Sequence, residues 1–308
     1  MRIGFVGLAL SHPYTFAHVL AGRGSPPAFV WDNDPDRARD FAASFGTVLC
    51  DSPEAMAEHA PDGVMVCGVA ANHVRDSLPF LLRGIPTFID RPLAVNGADL
   101  ASLVEMAEQS GAPLLSSSIL RFGEAFRGLL AAAKAGDAGT VLGATATICH
   151  DIGAYLQPGN TWQDDPALGG GSLVTMGLHG LELVAASLGT DWHCVSAVTS
   201  RRRYSQSLSE DMAVLTLQYG DGRIATVHVV CGGGAQGYSL TLFGSDRTFR
   251  AEAPSGGETL ADYGYTGTVD RFLEMIRTRR SPVPLRETRT ILEALLHARL
   301  QTWPTTGR

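Results

Sequence analysis

Lysine is almost absent from this chain: of its 24 Lys and Arg residues, Lys134 alone is a lysine. Any role that requires a lysine therefore falls to one position, in the alanine-rich stretch AAAKAGDAG. Cysteine is sparse too. Cys50, Cys67, Cys149, Cys194 and Cys231 lie far apart with no C-x-x-C pair, which excludes a disulfide framework and a zinc cluster and predicts buried thiols in a reducing cytosol. No segment approaches the roughly 18 uninterrupted apolar residues of a membrane span. Arg2 followed by the apolar residues 3–10 imitates the start of a signal peptide. That run is short, no A-x-A site follows it and a buried strand accounts for it, so a cytoplasmic location is the expectation. Clustered positive charge is also missing. The net charge is -7, and the one basic run, Arg201-Arg202-Arg203, reads as a solvated strand end, so neither nucleic acid nor a membrane is expected as a partner.

What is present is enough apolar sequence for two cores. The 308 residues are 45% hydrophobic and 18% charged, a globular composition at a length where single cores stop growing. In residues 1–118, buried-strand runs (RIGFVGLA, PAFVWDND, GVMVCGV, PTFIDRP, APLLSSSIL) alternate with helix-like stretches. Asp34, Ser52 and Asn96 are the expected helix starts, and Gly46, Gly84 and Gly111 the expected stops. That alternation predicts an α/β domain with a doubly wound parallel sheet. In residues 119–308 the texture changes. Helices FGEAFRGLLAAAKAG and GSLVTMGLHGLELVAASLG flank VLGATATICH, and then alternating runs follow, with Gly220-Asp221-Gly222 as a hairpin turn. This predicts an α+β domain with an open, mostly antiparallel sheet and helices on one face. The chain closes on two helical segments, TVDRFLEMIRTRR and RETRTILEALLHARLQTW.

The first strand-to-helix turn of a doubly wound sheet is where a dinucleotide pyrophosphate meets backbone amides. Here that turn is GLALSH, and it carries only the first of the three glycines of G-x-G-x-x-G: Gly7 is in place, Ala9 stands at the second position and His12 at the third. Asp32, at the end of the second apolar run, stands where an acid binds ribose hydroxyls and repels a ribose phosphate, which favours NAD over NADP; alternatively it is a turn residue of DNDPD. Asn72 and His73 fall in the loop after the third strand, where His73 either touches the cofactor or caps the next helix. The fourth strand ends in Asp90-Arg91-Pro92.

The order of these features continues with G-G-G before a helix carrying G-x-H and a final F-x-x-x-I-R-x-R-R-x-P segment. Taken together, the chain resembles the Gfo/Idh/MocA oxidoreductases from Arg2 to the last helix. The resemblance implies an N-terminal Rossmann domain, a C-terminal α/β domain often used for oligomerisation as a homodimer or homotetramer, and NAD or NADP as cofactor. It also implies redox chemistry at a carbinol carbon of a sugar, inositol or polyol. The family's Glu-Lys-Pro triplet falls on Asp90, Arg91 and Pro92, so the cofactor is expected to meet Gly7, Ala9, His12, Asp32, Asn72, His73, Asp90 and Pro92. The family's reactive lysine is Arg91 here. An arginine stays charged to about pH 12, so it can hold an alkoxide but cannot act as a general base. The family's Asp-x-Gly-x-His signature falls on Thr175, Gly177 and His179, leaving His179 as the acid–base candidate with Arg91 and Thr175 positioning the reacting oxygen. Without the resemblance, His179 reads as an interhelical histidine.

Four further residues are candidates for substrate contact. Arg121 either meets substrate or clamps a helix. Trp162, with His150 and Tyr155, belongs to a loop expected to border the cleft, where the indole either stacks on a sugar or plugs a boundary. No metal is expected, because His150, Asp151 and His179 lack ligand spacing. Three readings follow: a dehydrogenase or reductase; an NAD-retaining eliminase, hydrolase or epimerase that oxidises its substrate transiently; and a binding protein on the same scaffold.

Overall fold

Four-residue runs such as IGFV and GVMV are too short and too uniformly apolar for an amphipathic helix, and they become strands covered on both faces. The computed structural model describes residues 1–254 and 260–302. It divides into two units, Met1–Ser117 with Tyr265–Arg289, and Ser118–Gly264 with the residues from Thr290 onward.

In the first unit, strands β1 (Ile3–Val6), β2 (Pro27–Trp31), β3 (Val48–Leu49), β4 (Gly63–Val66), β5 (Thr87–Ile89) and β6 (Leu114–Leu115) alternate with helices. These are α1 (His12–Gly22), α2 (Pro35–Phe45), α3 (Pro53–Glu58), α4 (His73–Leu81) and α5 (Gly97–Ser110). All strand pairs are parallel, in the order β3-β2-β1-β4-β5-β6. β1 and β4 are buried at every position. The order reverses between β1 and β4, and in such sheets ligands bind outside the carboxyl ends of the strands at that point. The expected helix starts are side-chain caps: Asp34 accepts from the amides of Asp36 and Arg37, Ser52 from Ala55 and Asn96 from Asp99. Gly46 and Gly111 end α2 and α5 in the left-handed conformation. β3 escaped the sequence reading because it is a two-residue edge strand with both side chains exposed.

The second unit opens with α6 (Glu124–Ala135), β7 (Val141–Cys149) and α7 (Gly171–Leu188), followed by β8 (Trp192–Ser200), β9 (Met212–Tyr219), β10 (Ile224–Val230), β11 (Gly237–Gly244) and β12 (Thr248–Ala253). Its sheet runs β12-β11-β7-β10-β9-β8. Only the β7–β10 pair is parallel, so the sheet is mixed and mostly antiparallel. Alternation puts Ala144, Ala146, Ile148, Leu215, Leu217, Val227, Val229, Leu240 and Leu242 in the core. Thr145, Thr147, Val214, Thr216, Thr226 and His228 occupy the other face, which is less covered. The thiols are less uniformly buried than expected: Cys67 and Cys231 are buried, whereas Cys194 on β8 is exposed. The remaining helices are α8 (Leu260–Tyr263), α9 (Tyr265–Thr278) and α10 (Leu285–Thr302). α9 lies on α1, where Arg23 pairs with Asp270 at 2.7 Å. Trp303, at the end of the last helical segment read from the sequence, lies outside the described residues.

α7 is apolar on nearly every side and buried along most of its length, as a helix in the middle of a core must be. Gly180 sets its distance from the sheet, since a methyl group there would come within 2.4 Å of Val227 Cγ1 and 3.2 Å of Ile148 Cγ1. Gly180→Val is therefore expected to destabilise the protein by about 1–3 kcal/mol through overpacking. Urea denaturation checks this; unchanged stability would mean that the helix is free to lift from the sheet.

Candidate functional site

The loops after β1, β4 and β5 meet at the point where the first sheet reverses its strand order. Gly7 has φ +80, and a Cβ on it would sit 2.4 Å from Gly68 Cα. Only glycine lets the two loops approach this closely, which explains the one glycine of the motif that is kept. Ala9 follows, half-buried. The carboxylate of Asp32 is almost sealed, with 1% side-chain exposure. One oxygen accepts from the Leu8 amide, the other from the Asp34 amide at 2.7 Å and from Arg37 Nη2 at 2.9 Å. Asp32 thus braces the glycine turn and pairs with Arg37, a neighbour that the sequence reading did not single out. α1 begins at His12 with Ser11 in front of it, and Ser11 makes no side-chain capping bond.

His12 leaves the turn and joins the end of β5. Its Nδ1 lies 2.8 Å from Asp90 Oδ2, and Asp90 Oδ1 accepts from the Arg91 amide at 2.8 Å. A carboxylate only accepts, so Nδ1 carries the hydrogen, and in the neutral ring Nε2 is the proton-accepting atom. Burial pushes the Asp90 carboxyl upward, but the charge and hydrogen bond of His12, with Arg91, more than reverse this and hold it below the ordinary carboxylate value. Asn72 ends a short 3₁₀ turn, and its side chain caps nothing. His73 is inside the protein, its Nδ1 3.1 Å from the Pro92 carbonyl oxygen and its Nε2 3.3 Å from that of Gly68. It ties the β4 and β5 loops together, and burial lowers its pKa against the opposing pull of the Leu93 and Gly68 carbonyls and of Asp90 and Asp76.

The second unit gathers a different set of the candidates. His179 is buried on α7, and its Nδ1 lies 2.6 Å from the Ser118 hydroxyl, whose oxygen accepts from the Leu120 amide at 3.1 Å. Thr175, one turn earlier, spends its hydroxyl on the Gly171 carbonyl at 2.9 Å. Ser118 thus stands beside His179, while Thr175, expected from the resemblance to position the reacting oxygen, bonds its own helix. One turn later Glu182 accepts from Arg121 at 2.7 Å, a largely buried pair that clamps α7 to the segment before α6. Tyr238 on β11 links three candidates: its ring centroid is 6.1 Å from that of His179, and its hydroxyl is 3.2 Å from His150 Nδ1. The His150 ring is in turn 6.1 Å from that of Tyr155. Trp162 is half-buried, and no ring contact joins it to this cluster among the described residues. Ser118 and Tyr238 were the residues missed: the first sits in a plain serine run and the second in an alternating strand, with no motif to mark either.

Two models of one family match most of the chain: residues 1–117 fit an oxidoreductase family with an NAD-binding Rossmann fold, and residues 126–250 fit the GFO/IDH/MocA C-terminal domain. The chain belongs to the Gfo/Idh/MocA oxidoreductase family. An inositol 2-dehydrogenase of Burkholderia lata is 24% identical over 230 residues, 72% of this chain and 65% of that protein. A dTDP-3,4-didehydro-2,6-dideoxy-alpha-D-glucose 3-reductase of Streptomyces antibioticus is 26% identical over 232 residues, covering 71% and 66%. The chain thus spans slightly less than two thirds of the length of these relatives. Among solved structures, GenD2 from gentamicin A biosynthesis, in complex with NAD, superposes with a TM-score of 0.87 at 20% identity, covering 98% of this chain and 93% of that one.

In this family member the polar segment around Trp162 is pinned by two carboxylates. Asp151 accepts from the Gly153 amide at 2.8 Å, from Tyr204 and from Arg203 at 3.2 Å. Asp164 accepts from the hydroxyls of Ser207 and Ser209, from the Leu208 amide at 2.7 Å and from the Ser209 amide at 3.1 Å. Burial raises the Asp164 carboxyl, but these donors outweigh it and hold it below its ordinary value. A carboxyl lowered on folding adds stability above its unfolded pKa, near pH 4, and that contribution disappears as the pH falls through the folded value. Asp164→Asn should therefore lose about 1–3 kcal/mol at pH 7, with the gap to wild type closing as the pH is taken below about 4. Urea denaturation at the two pH values checks this; a gap independent of pH would contradict it.

Proposed function

We propose that the chain is an NAD-dependent oxidoreductase that transfers a hydride at a carbinol carbon of a sugar, polyol or related small molecule. The observation that carries this reading is the turn after β1. Gly7 lies against Gly68 with no room for a Cβ, and the first turn of α1 has no side-chain cap. That is the cradle a pyrophosphate requires, with main chain within reach and first-turn amides uncapped at the positive end of a helix dipole. Residues 7–12 and 68 would hold NAD there, and the nicotinamide would supply the hydride acceptor or donor. Asp32 contributes by fixing the Leu8 amide, and its sealed negative charge beside the turn favours NAD over a ribose-phosphorylated cofactor. The names of the relatives, an inositol dehydrogenase and a deoxysugar reductase, support carbinol chemistry.

A hydride leaving a carbinol carbon must be accompanied by a proton leaving its oxygen. Two histidines are built for that task. His12 is oriented through Nδ1 by Asp90, a pure acceptor, so in the neutral ring Nε2 is its proton-accepting atom, and His179 is oriented by the hydrogen bond between its Nδ1 and the Ser118 hydroxyl. His179 takes the role in our reading because it holds the family's histidine position. Arg91 holds charge and Thr175 shapes the α7 wall. We also assign assembly as a homodimer or homotetramer to the less covered face of the second sheet, where Val198 is 76% and Ile224 51% exposed, and we place the protein in the cytoplasm.

Calorimetry with NAD, followed by NADH formation across a panel of inositols, sugars and sugar acids, tests the reading. NAD should bind, and His179→Ala should lose roughly 100-fold to 10,000-fold in kcat while NAD affinity is retained. No nucleotide binding at high concentration would sink the proposal. Product formed without NADH accumulation would transfer it to a transient-oxidation mechanism, and loss in His12→Ala but not His179→Ala would move the proton step to the first unit.

A further inference from the structure

Among the described residues, the side chain of Arg91 makes no hydrogen bond. The residue is 9% exposed, its Nε is shut off from solvent without a hydrogen-bond partner among the described residues, and its backbone amide donates to Asp90. Asp90 feels its charge but accepts no hydrogen bond from it: its oxygens accept from His12 Nδ1 and from that amide. Other enclosed arginines of this chain are satisfied: Arg121 by Glu182 at 2.7 Å, Arg299 by the carbonyls of Pro166 and Gly170 at 3.0 and 3.2 Å. Leaving a buried N–H of a charged group without an acceptor is unfavourable, and where a folded protein retains one it calls for an explanation such as a catalytic or binding role. Arg91 also lies two residues beyond β5, at the carboxyl end of the sheet where open α/β folds bind ligands.

We infer that Arg91 is a carboxylate-binding residue, and that the substrates of this protein are acidic: sugar acids or polyol acids rather than neutral sugars. The inference rests on the oxidoreductase reading above and narrows its substrate class. A planar fork of N–H donors matches a carboxylate in a paired arrangement that an ammonium cannot reproduce, which gives the departure from lysine a chemical meaning. The guanidinium stays protonated throughout the working pH range, so it binds and orients the acid while the proton of the reacting hydroxyl goes to an imidazole.

The test uses the full chain with saturating NAD and matched pairs, such as glucuronate against glucose and gluconate against glucitol. The acids should exceed their neutral partners in kcat/KM by about 100-fold, the worth of a charged hydrogen-bonded pair. Arg91→Gln should abolish that preference by raising KM for the acids, and Arg91→Lys should restore part of it. Calorimetric affinity for NAD should be the same in all three proteins. Equal use of acids and neutral compounds, an equal loss on both in Arg91→Gln, or a loss of NAD affinity in that variant would each overturn the inference; the last would give the guanidinium to the cofactor's phosphates. If the wild type binds no NAD, the oxidoreductase reading fails by itself. Calorimetry of glucuronate and gluconate alone then decides the Arg91 site: binding abolished in Arg91→Gln supports it, and no binding overturns it. Should Arg91→Gln fail to fold, the comparison of wild type with Arg91→Lys carries the same decision.

Discussion

Asp90 is the group on which the first unit's site depends. It is buried at the end of β5, yet it is held ionised because His12 reaches it from the beginning of α1 and the next residue supplies an amide. One carboxylate thereby joins the glycine turn to the far loop of the sheet, across the strand between them. His73 fastens the same β5 loop to Gly68 from below, and Gly68 touches Gly7. Removing the charge at Asp90 would leave His12 without its orienting partner and free the turn to drift, so the shape of the cradle and the proton chemistry of its histidine have a common origin. In the same arrangement the Arg91 side chain makes no hydrogen bond among the described residues.

The second unit uses a parallel device. α7 is too apolar to be fixed by surface charge, and it carries three hydrogen-bonded polar side chains on successive turns: Thr175 to its own backbone, His179 to Ser118, and Glu182 to Arg121. Two of the three reach the segment preceding α6, so the helix that carries the family histidine is held in register as well as in depth. Both histidine pairs place the orienting group at Nδ1. A carboxylate there, as at His12, fixes the tautomer, whereas the Ser118 hydroxyl at His179 holds the ring in either one.

The architecture was legible in the sequence to the extent that it was written in periodicity and caps. Asp34, Ser52 and Asn96 start helices as expected, and the Gly220-Asp221-Gly222 turn joins β9 to β10. β3 was invisible because two exposed residues on an edge carry no pattern. The sites were read less completely, for a physical reason. Spacing on a helix shows which residues share a face, so it marked Thr175 and His179 as neighbours, but it carries no information on what approaches from elsewhere. Ser118, 61 residues away, takes the partner's place. Asp32 illustrates the same limit: its position after β2 was informative, whereas its enclosure by Leu8, Asp34 and Arg37 follows from three-dimensional packing.

The contact between Gly7 and Gly68 has one more consequence. Because main chain meets main chain there, with no side chain between, the separation of the β1 and β4 loops is fixed by atomic radii and cannot be tuned by exchanging one residue for a slightly larger or smaller one. A descendant of this protein can alter what lines the crevice, through Ala9, His12 or Arg91, but the width of the crevice at this point is inherited whole. Variation in this part of the protein is therefore chemical before it is geometrical: the mouth keeps its size while the charges around it change.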